Sequence, residues 1–118
     1  MGVLWQVGRS LGIAAGVAVL TALAPAAAQI PAPLNTGKVW KVYKDHWSEA
    51  DESGYAAFVQ AIGRSDCASL EDCLRSDANP YRSSVDPRLP GDCADMAYVL
   101  RAYYAWKNCL PFSYQNAM

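Results

Sequence analysis

The sequence lacks several features that would each place it in a broad class. It has no cluster of lysine or arginine and a formal net charge of −1, which excludes a nucleic-acid partner because phosphate binding needs such a cluster. No internal repeat is present, which excludes a repeat array. The chain has only 118 residues, so it provides one small domain at most. It has a single histidine, His46, which we interpret as a surface or packing residue.

The first 28 residues account for much of the apolar content and resemble an export signal. Arg9 is the only charge before an uncharged run whose apolar part extends from Leu11 to Ala24, and small residues lead to Ala28. This pattern predicts a signal peptide over residues 1–28, cleaved after Ala28, and a periplasmic or secreted protein. The alternative is an uncleaved anchor, but a spanning helix needs about 20 apolar residues. We therefore expect membrane contact only through the uncleaved signal.

The exported part is predicted to be mainly α-helical, with two main helices and one short helix. Residues 29–47 are interpreted as an extended, proline-containing linker that leads into the helices, and residues 48–118 as the helical domain. Within the linker, the pattern of Lys38–Tyr43 fits a short strand or the start of a helix, and the sequence does not decide between them. A domain this small is only marginally stable without cross-links such as disulfides or a binding partner.

The longest predicted helix follows Asp92, a good N-cap, with Asp95 three residues later as the second half of a capping box. Between residues 94 and 107 there is no Gly or Pro. Cys93, Ala97, Leu100 and Tyr104 are predicted to share one side of this helix. Cys93 therefore lies at the positive end of the helix dipole, which favours thiolate over thiol. The charges of Asp92 and Asp95, which capping explains without acid–base chemistry, oppose that effect.

Two further helices are predicted upstream. Ser48 and Asp51 form a capping signature. An amphipathic stripe then ends at Gly63 as a C-cap, and its apolar positions are Tyr55, Phe58, Val59 and Ile62. This stripe is expected to pack against the apolar side of the Cys93 helix. Ser69 caps a short helix that reaches Arg75. Residues 76–90 contain three prolines and are expected to form a loop on the surface.

The four cysteines limit the disulfide pattern. A helix between Cys93 and Cys109 separates them by about 24 Å, whereas a disulfide needs Cα atoms within about 7 Å. Either both bridges are long-range, or only Cys67–Cys73 forms and two thiols stay free. We favour the second arrangement, because a six-residue spacing suits a clip around a turn. Zinc binding by Cys67 and Cys73 would need two further ligands. We expect no metal or cofactor.

One segment has, in order, Gly91-Asp92-Cys93, Asp95, Ala97, Arg101 and Leu110-Pro111. This segment resembles the nucleophile helix of bacterial transglutaminase-like cysteine peptidases of the papain-like group. The similarity covers about two dozen residues. It implies that Cys93 is the nucleophile, that a peptide or protein is the substrate, and that the helices are the front half of an α+β fold without its sheet.

The chain departs from that family in two ways. Cys109 stands where the family usually has Gly, a position that is often left-handed. The family's His and Asp follow the turn, whereas this sequence has no histidine after His46. We therefore expect a truncated, inactive front half of such an enzyme.

The alternative is a small disulfide-stabilised periplasmic protein that binds or scaffolds without catalysis. Self-association is expected through exposed aromatic side chains or through Cys109.

Overall fold

The structure is a computed structural model that describes residues 29–113, and within that range it contains three α-helices and no β-strand. Helix α1 spans Glu49–Gly63, α2 spans Leu70–Arg75 and α3 spans Cys93–Lys107. The predicted mainly helical class, with two longer helices and one short one, is confirmed. The predicted signal peptide lies outside the described residues, as do residues 114–118 of the predicted helical domain.

Each helix begins where a side chain satisfies backbone N–H groups that have no partner within the helix. The Ser48 hydroxyl accepts a hydrogen bond from the Asp51 N–H, and the Asp51 carboxylate accepts one from the Ser48 N–H. Asp92 and Asp95 form the same reciprocal capping box at α3. Ser69 caps α2. The predicted helix starts are confirmed, because capping is a local property that the sequence carries directly.

The core is an aromatic cluster between α1 and α3. Phe58 is fully buried, and its ring centroid lies 6.1 Å from that of Tyr103 and 5.8 Å from that of Tyr104. Gly54 allows this approach, because a Cβ atom there would collide with the Tyr104 hydroxyl and lie 2.9 Å from Pro31 Cδ. The predicted packing of α1 against α3 is therefore confirmed. The absence of a side chain at Gly54 is required by this packing.

The buried surfaces of α1 and α3 include fewer residues than the sequence predicts. Of the four residues expected to share one side of α3, Leu100 and Tyr104 are buried, whereas Cys93 and Ala97 are exposed. In α1, Val59 is 36% exposed although it lies on the predicted stripe. The rest of the domain covers only the later turns of α3, so helical periodicity alone overestimates the buried surface.

The predicted C-cap at Gly63 is wrong. Gly63 is the last residue of α1, and the cap is Arg64 in a right-handed conformation, whose N–H donates to carbonyl oxygens of α1. The chain does not turn sharply here, so the left-handed conformation that favours glycine is not needed.

Residues 29–47 close the carboxyl end of α3 and form neither strand nor helix. The backbone N–H groups of Leu34 and Asn35 both donate to the Lys107 carbonyl, at 2.9 and 3.0 Å. The Tyr43 N–H donates to the Cys109 carbonyl at 2.9 Å, and the Trp40 indole to the Leu110 carbonyl at 3.1 Å. The last carbonyl groups of a helix have no partner within it. This segment supplies such partners and is part of the domain.

The turn after α3 contains the only non-glycine residue with positive φ among residues 29–113. Cys109 has φ 56°, at the position where the sequence resemblance expects glycine. The Leu110 N–H donates to the Ala105 carbonyl at 2.9 Å. Of the two hydrogen bonds of a Schellman motif, this is the one that spans more residues of the chain. The helix therefore ends in the left-handed turn that normally selects glycine, with a fully buried cysteine in its place.

The sequence predicted that residues 76–90 form a loop on the surface, but part of this connection is buried. Asn79 and Tyr81 lie in the core, 1% and 3% exposed. The Asn79 amide donates to the Leu74 carbonyl at 2.7 Å, and the Tyr81 hydroxyl donates to the Pro31 carbonyl at 2.7 Å. These contacts fix a loop that has no helical or strand periodicity.

Candidate functional site

Cys93 is the first residue of α3 and carries an exposed, unbridged thiol. The backbone donors next to it are already used. The Asp92 carboxylate accepts from the Ala94 N–H at 2.8 Å and from the Asp95 N–H at 3.1 Å. The Asp95 carboxylate in turn accepts from the Asp92 N–H at 3.2 Å. These donors are therefore not open to a substrate oxygen, and both aspartates act as caps, as predicted.

His46 is not placed as a general base for Cys93. Its Nδ1 lies within hydrogen-bonding distance of the carboxylate of the adjacent Asp45, and both side chains are more than three-quarters exposed. The hydrogen bond and charge of His46 hold the pKa of Asp45 below its usual range. Within residues 29–113, no described hydrogen bond or ion pair joins His46 to Cys93. The position of His46 agrees with a surface residue.

Arg101, which belongs to the resemblance motif, is held by two kinds of contact. Its guanidinium makes two hydrogen bonds to the Glu52 carboxylate, at 3.0 and 2.7 Å, and lies 3.8 Å from the centroid of the Trp47 ring. Hydrogen bonding to Glu52 raises the pKa of Arg101, and the same contact lowers the pKa of Glu52. Arg101 therefore links α3 to α1 and to the segment before α1.

One disulfide forms and two cysteines are free, which is the arrangement that the six-residue spacing favoured. Cys67 and Cys73 form a disulfide with a Cα–Cα distance of 4.9 Å, which ties α2 to the segment between α1 and α2. Cys93 and Cys109 are free. Cys109 is buried, and that burial raises the pKa of its thiol. A disulfide between copies through Cys109, the predicted route to self-association, would first require this turn to open.

A buried ion pair at the end of α3 was not predicted. The Lys107 side chain is 2% exposed, and its Nζ donates to Asp86 Oδ1 at 2.6 Å. The Tyr103 hydroxyl donates to Asp86 Oδ2 at 2.6 Å, and the Asn79 amide donates to the Tyr103 hydroxyl at 3.0 Å. The sequence places Lys107 at the end of the predicted helix and gives no indication that it is buried. An Asp in a proline-rich loop gives no signal of burial.

This network fixes the acid–base state of its members. Burial alone would raise the pKa of Asp86, but hydrogen bonds from Lys107, Tyr103 and Ser83 outweigh it and hold the pKa below its usual range. Burial, together with the hydrogen bond to Asp86, raises the pKa of the Tyr103 hydroxyl. Asp86 therefore stays ionised and Tyr103 stays protonated near neutral pH.

A cleft of about 530 Å³ lies beside the ion pair, between α2 and residues 82–89. Leu74, Leu89 and Tyr103 provide apolar walls, and Arg75 and Arg82 stand at its polar side. Both arginines already have partners, since Arg75 lies near Glu71 and Arg82 near Asp77. Cys93 does not line this cleft. The exposed thiol and the cleft are thus separate features of the domain.

Other kinds of site are not found in the described part of the chain. Among residues 29–113, no group of three or more His, Cys, Asp or Glu side chains is arranged to hold a metal ion. Over the same residues, none of the helices is both long enough and apolar enough to span a bilayer.

Comparison of the chain with protein-family models, with curated proteins and with solved structures finds no match.

Proposed function

We propose that this chain is an exported domain equivalent to the nucleophile-helix portion of a transglutaminase-like thiol peptidase. In this proposal Cys93 occupies the nucleophile position, and the chain does not turn over substrate by itself. A peptide or protein is the substrate class that the resemblance implies for the completed enzyme.

The observation that carries the proposal is the state of Cys93, a free and exposed thiol in the first residue of a capped helix. A sulfur bridged to another cysteine would have removed the basis of the resemblance. The left-handed backbone at Cys109 gives further support, because the family usually has glycine there and left-handed geometry is the physical reason for glycine.

Inactivity follows from the surroundings of the thiol. A cysteine nucleophile needs a base within hydrogen-bonding reach or another means of ionisation. The only histidine of the chain has Asp45 as its partner. The Ala94 and Asp95 N–H groups, which could stabilise an oxyanion, donate to Asp92 instead.

The test is an assay of the purified chain for hydrolysis and acyl transfer with a mixture of peptide substrates. A variant with Cys93→Ser is the control. We expect no difference between the two proteins. Turnover that disappears in the Cys93→Ser variant would overturn the claim of inactivity.

The kinship itself needs a separate test. We expect a chain extended at its carboxyl end by a His-bearing strand segment of a transglutaminase-like peptidase to gain hydrolysis that depends on Cys93. Loss of that activity on Cys93→Ser, with the fold retained by circular dichroism, would support the proposal. An extended chain that folds and stays inactive would count against it.

Export is part of the proposal and is tested by the mass of the chain isolated from the cell envelope without reductant. We expect an amino terminus at Gln29, one disulfide and two free thiols. Uncleaved residues 1–28 in the isolated chain would contradict cleavage after Ala28.

A second candidate is a disulfide-stabilised binding or scaffolding protein without catalysis. The cleft beside α2 favours it, since the cleft has apolar walls and is lined in part by α2, the helix that the Cys67–Cys73 disulfide holds. A ligand that protects Leu89 from solvent, and whose binding is unchanged by Cys93→Ser, would favour this candidate over the first.

A further inference from the structure

Residues 34–43 expose an unusual share of the apolar surface of the domain. The exposed fractions are 61% for Leu34, 70% for Val39, 55% for Val42 and 67% for Tyr43. With Trp40, they make up five of the seven large hydrophobic side chains that are exposed within residues 29–113. Single exposed hydrophobic residues need no explanation, but a concentration of them within ten residues indicates an interaction surface.

The same segment concentrates positive charge. It contains Lys38 and Lys41, which take part in no ion pair among residues 29–113, and Lys44 follows, paired with Asp51 at 2.9 Å. No acidic residue precedes Asp45 anywhere in the chain. Every charged residue among residues 29–44 is therefore a lysine, although the whole chain has a formal net charge of −1.

The backbone of this segment is held in place, so the side chains are displayed on a fixed support. Leu34 and Asn35 are bonded to the Lys107 carbonyl, and Tyr43 to the Cys109 carbonyl. The Asn35 amide also donates to the Val39 carbonyl at 2.8 Å. A surface that is already ordered loses little conformational entropy on binding.

We propose that residues 34–43 form a surface that binds an anionic lipid bilayer. Trp and Tyr favour the membrane–water interface, exposed aliphatic side chains gain by insertion at the acyl boundary, and lysines are attracted to anionic headgroups. All three features occur together here. This contact is separate from any made by residues 1–28, and it does not depend on the role of Cys93.

The charge argues against a second copy of the chain as the occupant. Two copies that met through this surface would bring Lys38 and Lys41 of one close to those of the other, and like charges in an interface oppose association. An anionic bilayer neutralises them instead.

The experiment uses the full chain with Cys93→Ser and Val42→Cys, labelled at residue 42 with a polarity-sensitive fluorophore. Cys109 is buried and escapes labelling under native conditions. The protein is mixed with vesicles of phosphatidylcholine containing one quarter phosphatidylglycerol, and with vesicles of phosphatidylcholine alone. Acrylamide quenching at residue 42 reports the local contact even where residues 1–28 touch both kinds of vesicle.

We expect a blue shift and protection from acrylamide with the anionic vesicles only, decreasing as salt is added. Lys38→Gln with Lys41→Gln should weaken the apparent partitioning at residue 42 by about fivefold per lysine removed. Arg64→Gln with Arg88→Gln removes the same charge elsewhere and should leave it almost unchanged. Equal protection on neutral vesicles, protection without vesicles as protein concentration rises, or no protection at all would each overturn the proposal.

Discussion

The two halves of α3 differ in how they are supported. Residues 100–107 are largely buried, and their last carbonyl groups accept hydrogen bonds from residues outside the helix. Residues 93–99 are mostly exposed, and the start of the helix is held by its own capping box. The candidate nucleophile lies in the half that contributes least to the core. We infer that chemistry at Cys93 and stability of the domain are separable, and the predictions below test that separation.

The largest effect is expected at the buried ion pair. Replacing Asp86→Asn leaves the Lys107 ammonium buried without its counter-charge, which costs about 3–5 kcal/mol. The control is Asp77→Asn, whose partner Arg82 is 50% exposed, so its loss should be about 1 kcal/mol or less. Urea unfolding measures both. Similar unfolding midpoints for the two variants would contradict a structural role for Asp86.

The same ion pair should make the free energy of unfolding depend on pH under acidic conditions. A carboxyl whose pKa is lower in the folded state than in the unfolded state stabilises the fold above the unfolded value, about 3.9 for Asp. That contribution is lost as the pH falls through the folded pKa. The pKa of Asp86 is lowered, so we expect the free energy of unfolding to fall below about pH 4. The double variant Asp86→Asn with Lys107→Met should show a shallower fall, and identical slopes would refute the assignment.

A smaller but sharper effect is expected at the α1–α3 contact. Gly54→Ala places a methyl group against the buried Tyr104 hydroxyl and Pro31, and overpacking of this kind costs about 1–3 kcal/mol. Gly63→Ala is the matched control in the same helix. No atom lies within 4 Å of its added Cβ, so it should stabilise by about 0.5–1 kcal/mol. Thermal unfolding of both variants should therefore move in opposite directions.

The turn after α3 should show an effect of about 1 kcal/mol. Cys109→Gly and Cys109→Ala both remove the sulfur, but only glycine adopts the positive φ of this residue without cost. We expect the Gly variant to be the more stable of the two by about 1 kcal/mol. A more stable Ala variant would show that the left-handed turn is not maintained.

The smallest stability effect is expected at Cys93. Cys93→Ser changes an exposed side chain and should alter the free energy of unfolding by less than about 0.5 kcal/mol. In the unsubstituted native protein, the Cys93 thiol should react with iodoacetamide, whereas the Cys109 thiol should react only after unfolding. Mass spectrometry of the labelled peptides distinguishes the two. Equal labelling rates would contradict the described burial of Cys109.

The parts of this fold that the sequence could predict are those with a local cause. Helix starts depend on a capping side chain a few residues from the backbone group it satisfies, and Ser48, Ser69 and Asp92 were found in that way. The packing of Phe58 and Ile62 against α3 followed from helical spacing. Burial of a given face was less certain, since Val59 and Ala97 share the periodicity of buried neighbours without being covered.

The parts that the sequence could not predict depend on contacts between distant residues. Nothing near Leu34 or Tyr43 indicates that their N–H groups will meet the carbonyl groups of Lys107 and Cys109. Asp86 likewise lies 21 residues from Lys107. The candidate site was predicted only as a residue at a helix start. Its lack of a base and its occupied N–H donors became visible when the partners of His46 and Asp92 were known.

The hydrogen bonds between residues 34–43 and the end of α3 also set the order in which the domain can be completed. The donors are synthesised well before their acceptors, and the Trp40 indole precedes the Leu110 carbonyl by 70 residues. A chain that crosses a membrane amino end first would therefore emerge with the N–H groups of Leu34 and Tyr43 unpaired, and they would stay unpaired until Lys107 and Cys109 arrive. This end of the domain can therefore close only after residues 107–110 have crossed, and a chain stalled before that point would leave these backbone donors open.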